Sequence, residues 1–291
     1  MKSRLGVLAL FLGSIGWGLT WIPLKFITER GLHSAHLVLF AFGAGALVLI
    51  PWLFRQYDNW KAHGSLMLAI GLAGGIANAS FQTAIAHGEV VRVMILFYML
   101  PVWSVIGGRI FLNEPIDTTR RLTVALCLIG GSLILDVFNT SWNGITWIDF
   151  LALLSGMGLA ATNILFRYTP HITLLSKVGF VFVGCFLLMG VSLSFLPVSN
   201  PLPGVAVIGL AVLYGAIGLT VITVATQWGV TYVGAGRASI IIVTELFVAV
   251  VSATIILAAP LGPAEIFGGL LVTGAALIEG FRAEEINPET A

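Results

Sequence analysis

Five stretches of this chain carry no charged residue: Leu5–Leu24, Leu37–Phe54, Ser65–Ala86, Val178–Ser199 and Leu202–Gly236. A helix needs about 20 apolar residues to cross the ~30 Å hydrocarbon layer of a bilayer. Soluble domains carry roughly 25% charged residues, against 9% here in 291 residues that are 58% hydrophobic. The chain therefore reads as an all-α membrane protein. Ten spans fit, at roughly 5–28, 34–54, 64–87, 91–112, 120–138, 147–168, 173–196, 204–229, 236–258 and 263–282. The fifth is the weakest, a short apolar run between Arg121 and Asp136. The short connections leave no room for a soluble domain. A net charge of +1 gives no basic field for nucleic acid.

The chain also repeats itself. Gly71, Gly75, Asn78 and Gln82 fall on one helical face. A shift of 145 carries them to Ala216, Thr220, Thr223 and Gln227, and pairs Arg92 with Arg237 and Pro115 with Pro260. A shift of 142 pairs Gly16 with Gly158, Thr20 with Thr162, Ile22 with Ile164 and Lys25 with Arg167. The units are residues 1–140 and 141–291, each holding five spans of one integral transmembrane domain. Five is odd, so the second copy is expected to enter the membrane upside down. Such inverted repeats place a solute site near the midplane between the copies and suit alternating access.

Lysine and arginine placement orients the chain. With the N-terminus inside, one face collects Lys2, Arg4, Arg55, Lys61, Arg109, Arg120, Arg121, Arg167, Lys177, Arg237 and Arg282. The other keeps Lys25, Arg30 and Arg92. Both termini are expected to be cytoplasmic.

Polar and aromatic residues inside the spans are the site candidates. Gln82 and Gln227 each present donors and an acceptor that lipid cannot satisfy; they contact a solute or bridge helices. Asn78 lies deeper. Gly71 and Gly75 fit a packing seam of small residues. Glu245 is the acidic residue well inside a span, where a charge costs about 2.5–3.5 kcal/mol. Three roles stand for it: partner to a substrate amine, proton-coupling site, or neutral carboxyl bonding a neighbouring helix. Trp17, Trp21, Tyr98, Trp103 and Tyr214 lie toward span centres, whereas Trp52, Trp60, Trp142 and Trp147 sit where an interfacial belt is expected. Arg92 and Arg237 open spans at opposite faces, where lipid headgroups are the default partner. Cys127 and Cys185 read as buried packing residues. The histidines scatter near span ends, and no metal cluster, catalytic serine elbow or nucleotide loop emerges. No cofactor is expected.

Gly16-Trp-Gly-Leu-Thr-Trp-Ile-Pro-Leu-Lys25, Leu112-Asn-Glu-Pro115 and Thr244-Glu-Leu-Phe247 resemble motifs of the drug/metabolite transporter superfamily, EamA type. Leu246 stands where that family's span-nine signature has proline, and Ala258-Ala-Pro260 replaces its second Gly-Glu. Within the superfamily the chain is most similar to YddG-type aromatic amino-acid exporters. The resemblance implies an inner-membrane carrier of small metabolites, with aromatic and other neutral amino acids as substrate and lipid as the other partner. The expected contacts are Trp17, Thr20, Asn78, Gln82, Tyr98, Trp103, Asn163, Tyr214, Gln227 and Glu245. Efflux of drugs, cations or purines by the same fold is the alternative. A membrane-embedded enzyme or receptor is the rival of a different class.

Overall fold

A computed structural model describes residues 2–88, 90–137, 144–195, 202–257 and 262–281. Trp142, Pro260 and Arg282 lie outside the described residues. The described chain is helical throughout: α1 (Lys2–Gly18), α2 (Trp21–Thr28), α3 (Ser34–Arg55), α4 (Tyr57–Trp60), α5 (Gly64–His87), α6 (Val90–Phe97), α7 (Leu100–Leu112), α8 (Thr118–Ile134), α9 (Trp147–Tyr168), α10 (Leu174–Leu193), α11 (Val205–Leu213), α12 (Thr220–Tyr232), α13 (Ala235–Ile242), α14 (Thr244–Leu257) and α15 (Pro263–Phe281). Among the described residues, nine helical stretches are long and apolar enough to cross a membrane. The 17-residue α8 rises about 26 Å at 1.5 Å per residue, a little short of a full hydrocarbon layer.

Three of the apolar stretches are broken. The first divides into α1 and α2 around Leu19–Thr20, where Thr20 Oγ1 donates to the Trp17 carbonyl at 2.6 Å. Another divides at Tyr98–Met99, just ahead of Pro101, which has no N–H to continue the ladder. A third divides at Val243 with no proline nearby. Between α11 and α12, residues Tyr214–Leu219 widen into π-helical turns, and there the backbone of Gly215 meets α3: a Cβ added at Gly215 would lie 2.1 Å from the Ala41 carbonyl.

Local signals start and stop the helices. Asp117 caps α8 by accepting from Arg120 N at 2.8 Å. Thr146 and Asp149 form a reciprocal capping box at α9. Asn113, at φ 55°, ends α7 in the left-handed conformation that asparagine tolerates.

Backbone contact fixes the relative directions of the helices. Gly71 and Gly75 of α5 lie against Phe180 and Gly184 of α10, so these two run parallel. On α1, Gly6 meets Val233 and Gly16 meets Ile222 of α12, an antiparallel pair. Gly130 meets Gly268, and Thr123 bonds Glu279, so α8 and α15 are antiparallel. Gly88 meets Ile148 and Gly158 meets Ala77, so α5 and α9 are antiparallel. The main core gathers Leu10, Leu37, Phe42, Phe166, Phe182, Met189 and Val230, and a second cluster joins Tyr98, Cys127, Val243, Leu246 and Val272.

One end of the bundle is tied by polar side chains. Gln56 accepts from Ser176 Oγ at 2.9 Å and also from Thr173 Oγ1. Arg167 donates to the Thr231 carbonyl, and buried Lys177 to the carbonyls of Phe166 and Thr169, all near 2.9 Å. Because Arg55, Arg167, Lys177 and Arg237 gather there, we call it the basic end. At the opposite end, Arg92 makes two 2.6 Å contacts with Asp149 and donates to the Gly144 carbonyl.

Candidate functional site

A buried polar contact between helices joins α9 to α12. Gln227 Nε2 donates to Asn163 Oδ1 at 3.2 Å, and both side chains are buried. Neither amide is satisfied by this bond. Among the described residues, Asn163 Nδ2 and Gln227 Oε1 have no hydrogen-bond partner, nor do Trp103 Nε1, Ser104 Oγ and Thr223 Oγ1. Thr223 lies one turn before Gln227 on α12. Helix α7 runs parallel to α9, with Phe97 beside Gly156 and Gly107 beside Ile164, so Trp103 and Ser104 stand at about the depth of Asn163. An unsatisfied buried polar group typically costs ~1–3 kcal/mol. Five such groups, on α9 and on the two helices α7 and α12 that pack against it, form an uncharged set with spare donors and a spare amide acceptor.

A second pairing lies nearer the middle of the bundle. Tyr98, at the end of α6, donates its hydroxyl to Glu245 Oε1 at 3.0 Å, in the first turn of α14. Gly18 of α1 packs against the Glu245 carbonyl and Val248, and Gly13 against Thr226. Along α1 the two polar groups are therefore offset by five or six residues, about 8 Å.

The other expected residues are dispersed. Asn78 bonds back to the Gly74 carbonyl of its own helix at 3.0 Å. Gln82 and Gln227 each stand five residues before the end of their helices, α5 and α12. Those ends are at opposite faces, because Gly88 meets the start of α9 while Arg167, at its finish, bonds Thr231. Trp17 packs on the main core. Tyr214 lines an apolar cleft of about 390 Å³ with Pro23, Phe26 and Leu213. Another cleft of about 480 Å³ lies between α5, α9 and α10, lined by Ser80, Thr83, His87 and Trp147. Trp21 Nε1 donates to Ser252 Oγ at 2.9 Å and joins α2 to α14.

The two matched arginines are not headgroup-bound. Besides the Arg92–Asp149 pair, Arg237 donates twice to the Glu279 carbonyl, at 3.1 and 2.8 Å, and is buried. Glu279, with no exposure, lies 3.0 Å from Arg120 Nε and accepts from Thr123 Oγ1 at 2.8 Å. Glu114, in the loop after α7, lies 3.6 Å from Arg120. It also accepts from Ala235 N and Gly236 N, capping α13. Two carboxylates and two guanidinium groups thus neutralise one another inside the basic end.

Residues 4–136 match the model of the EamA-like transporter family. Over these residues the chain is similar to the EamA-like transporters. The matched segment runs from α1 through α8, taking in the broken helix that ends at Tyr98 and the Glu114 loop. A solved crystal structure superimposes with a TM-score of 0.71 over 96% of this chain and 99% of its own, at 14% sequence identity. That likeness speaks for the fold. No curated protein matches the sequence. An EamA-like transporter is a multi-pass membrane protein that carries a small molecule. Ser104, Thr223 and the bond between Asn163 and Gln227 are what the structure adds to the sequence reading. Thr223 was visible as part of the repeated stripe. Ser104 carried no signal beyond being polar within a span.

Proposed function

We propose that this protein is a secondary transporter exporting neutral amino acids, aromatic ones included, by alternating access through a site built on α7, α9 and α12. The observation that carries this reading is the buried Gln227–Asn163 pair, with its spare acceptor and donors; the unpartnered indole N–H of Trp103 lies on α7, which packs against the same helix α9. A zwitterionic amino acid complements such a set. Its ammonium donates to the Gln227 oxygen, and its carboxylate accepts from Trp103 and Asn163. The indole supplies an apolar face for the side chain.

Residues 1–140 and 141–291 serve as two inverted units in this reading. Exchange of the halves maps the helix contacts onto one another: α1 on α12 answers α9 on α5, and α7 on α9 answers α13 and α14 on α1. The breaks at Tyr98 and Val243 are 145 positions apart (243 − 98), the offset of the repeat. Ten crossings are supported by the parallel course of α5 and α10. Between them the chain passes α7, α8 and α9, and only an odd number of crossings restores the direction, so this reading takes α8 as a crossing as well. The bacterial inner membrane, with both termini cytoplasmic, is the location this reading implies.

Counterflow into sealed proteoliposomes tests the substrate class. Labelled amino acids, purines and quaternary amines are offered to vesicles preloaded with the same solute. The reading requires saturable counterflow of neutral amino acids. Counterflow of purines or amines alone overturns the substrate class, and a chemically altered product overturns the carrier.

A further inference from the structure

The Tyr98–Glu245 pair is left over once the polar set on α7, α9 and α12 is assigned to the solute. It sits where two discontinuous helices meet: Tyr98 closes α6, and Glu245 opens α14 immediately after the break at Val243. Broken helices at mid-depth are where membrane carriers hold their coupling ions, because interrupted ladders leave helix termini facing inward. We infer that Glu245, hydrogen-bonded to Tyr98, is a proton-binding site that couples solute export to proton entry. This rests on the reading of the protein as a carrier, and it takes Glu245 out of the solute contacts.

The groups around Glu245 fit a proton better than a metal cation. Among the described residues its side-chain partner is Tyr98, and no cluster of three or more His, Cys, Asp or Glu could hold a metal ion. A calcium ion takes about six to eight oxygen ligands, and the side chains here offer one carboxyl and one phenol. Other titratable groups stand off. From α8, buried Cys127 lies behind Tyr98 and bonds the Ile240 carbonyl. From α1 the facing residue is Gly18. On α13, Arg237 is bound to Glu279 at the basic end. On α15, Glu265 accepts from Gly262 N at one end and Glu279 pairs with Arg120 at the other.

Opposing influences make the carboxyl able to change state. Removal from water favours its neutral form. The hydroxyl of Tyr98 and the positive end of α14 favour the carboxylate. When the pathway opens outward, a proton from the outer water joins the carboxylate. When it opens inward, the same O–H bond breaks and the proton passes to the cytoplasmic water. The inward leg crosses with the proton bound and the outward leg with the solute bound and the carboxyl deprotonated, so one proton enters for each solute that leaves.

Infrared difference spectroscopy of the solute-free protein reads this directly. Acidification should bring up a carboxylic-acid C=O band in the wild type that is missing in Glu245→Gln, which still accepts from Tyr98. In Tyr98→Phe the band should move in frequency, because the hydrogen bond from the Tyr98 hydroxyl to the carboxyl is gone. In proteoliposomes, an imposed pH gradient should raise phenylalanine accumulation in the wild type, and the ratio with and without the gradient should fall to one in Glu245→Gln. Identical band amplitude in wild type and Glu245→Gln overturns the assignment, as does gradient-driven accumulation that survives the substitution. The infrared arm needs no solute. A missing phenylalanine signal with the band intact therefore counts against the substrate class and leaves the proton site standing.

Discussion

Arg120 Nε lies 3.0 Å from Glu279 Oε1, and both side chains are buried, Glu279 completely. Arg237 and Glu114 complete a neutral group of four charges. Removing one member leaves an unbalanced charge inside, at about 3–5 kcal/mol. Arg120→Met and Glu279→Gln should each lower the unfolding temperature in detergent sharply. Their combination should recover part of that loss, since the remaining Glu114 and Arg237 balance. Additive losses in the double variant would show that the charges do not act together.

Trp103 Nε1 is buried without a partner. Trp103→Phe keeps a ring and deletes the N–H, so the folded protein should be at least as stable as the wild type. Transport should move the other way. Loss of one hydrogen bond to solute at about 1.4 kcal/mol raises the half-saturation concentration about tenfold. Thr223→Val, which deletes the unpartnered hydroxyl, should also melt no lower than wild type. Counterflow titrations beside thermal melts check both.

Gln227→Ala breaks the bond to Asn163 and removes the spare acceptor. Flux should fall at least tenfold while the protein stays folded, because the lost bond is worth only about 1 kcal/mol. Gln82→Ala, near the opposite face, should leave flux within about twofold; the tenfold step corresponds to about 1.4 kcal/mol of lost solute binding. Equal effects from both would put the two glutamines in one pathway after all.

The native cysteines Cys127 and Cys185 are both buried, so cysteine labelling from outside intact cells has a low background. Gly31→Cys and Ile145→Cys should react with an impermeant maleimide, whereas Asn113→Cys and Pro170→Cys should react only after permeabilisation. Labelling of Asn113→Cys and Ile145→Cys from the same side would mean that α8 does not cross.

The chain announced its helices through charge-free runs, and it carries an echo at 145 residues. It did not announce what the echo would lose. By the 142-residue shift, the counterpart of Asn163 is Trp21 (163 − 142), whose indole bonds Ser252. Gln82 therefore has no amide opposite it, and the two glutamines diverge although their surroundings in sequence match. The buried state of Arg237 was equally hidden, since Glu279 lies 42 positions along the chain. Pro101 marks one helix break; Val243 carries no such mark in the sequence.

A Cβ placed on Gly184 would stand 1.9 Å from the Gly71 carbonyl, so α5 and α10 meet backbone to backbone. Helices in such embrace can neither roll nor slip past each other without tearing the join. In the transport cycle proposed above they would travel as a single plank, leaving the breaks at Leu19, Tyr98 and Val243 as the places to flex. A thermostabilising programme should accordingly leave those joints loose and reinforce the plank.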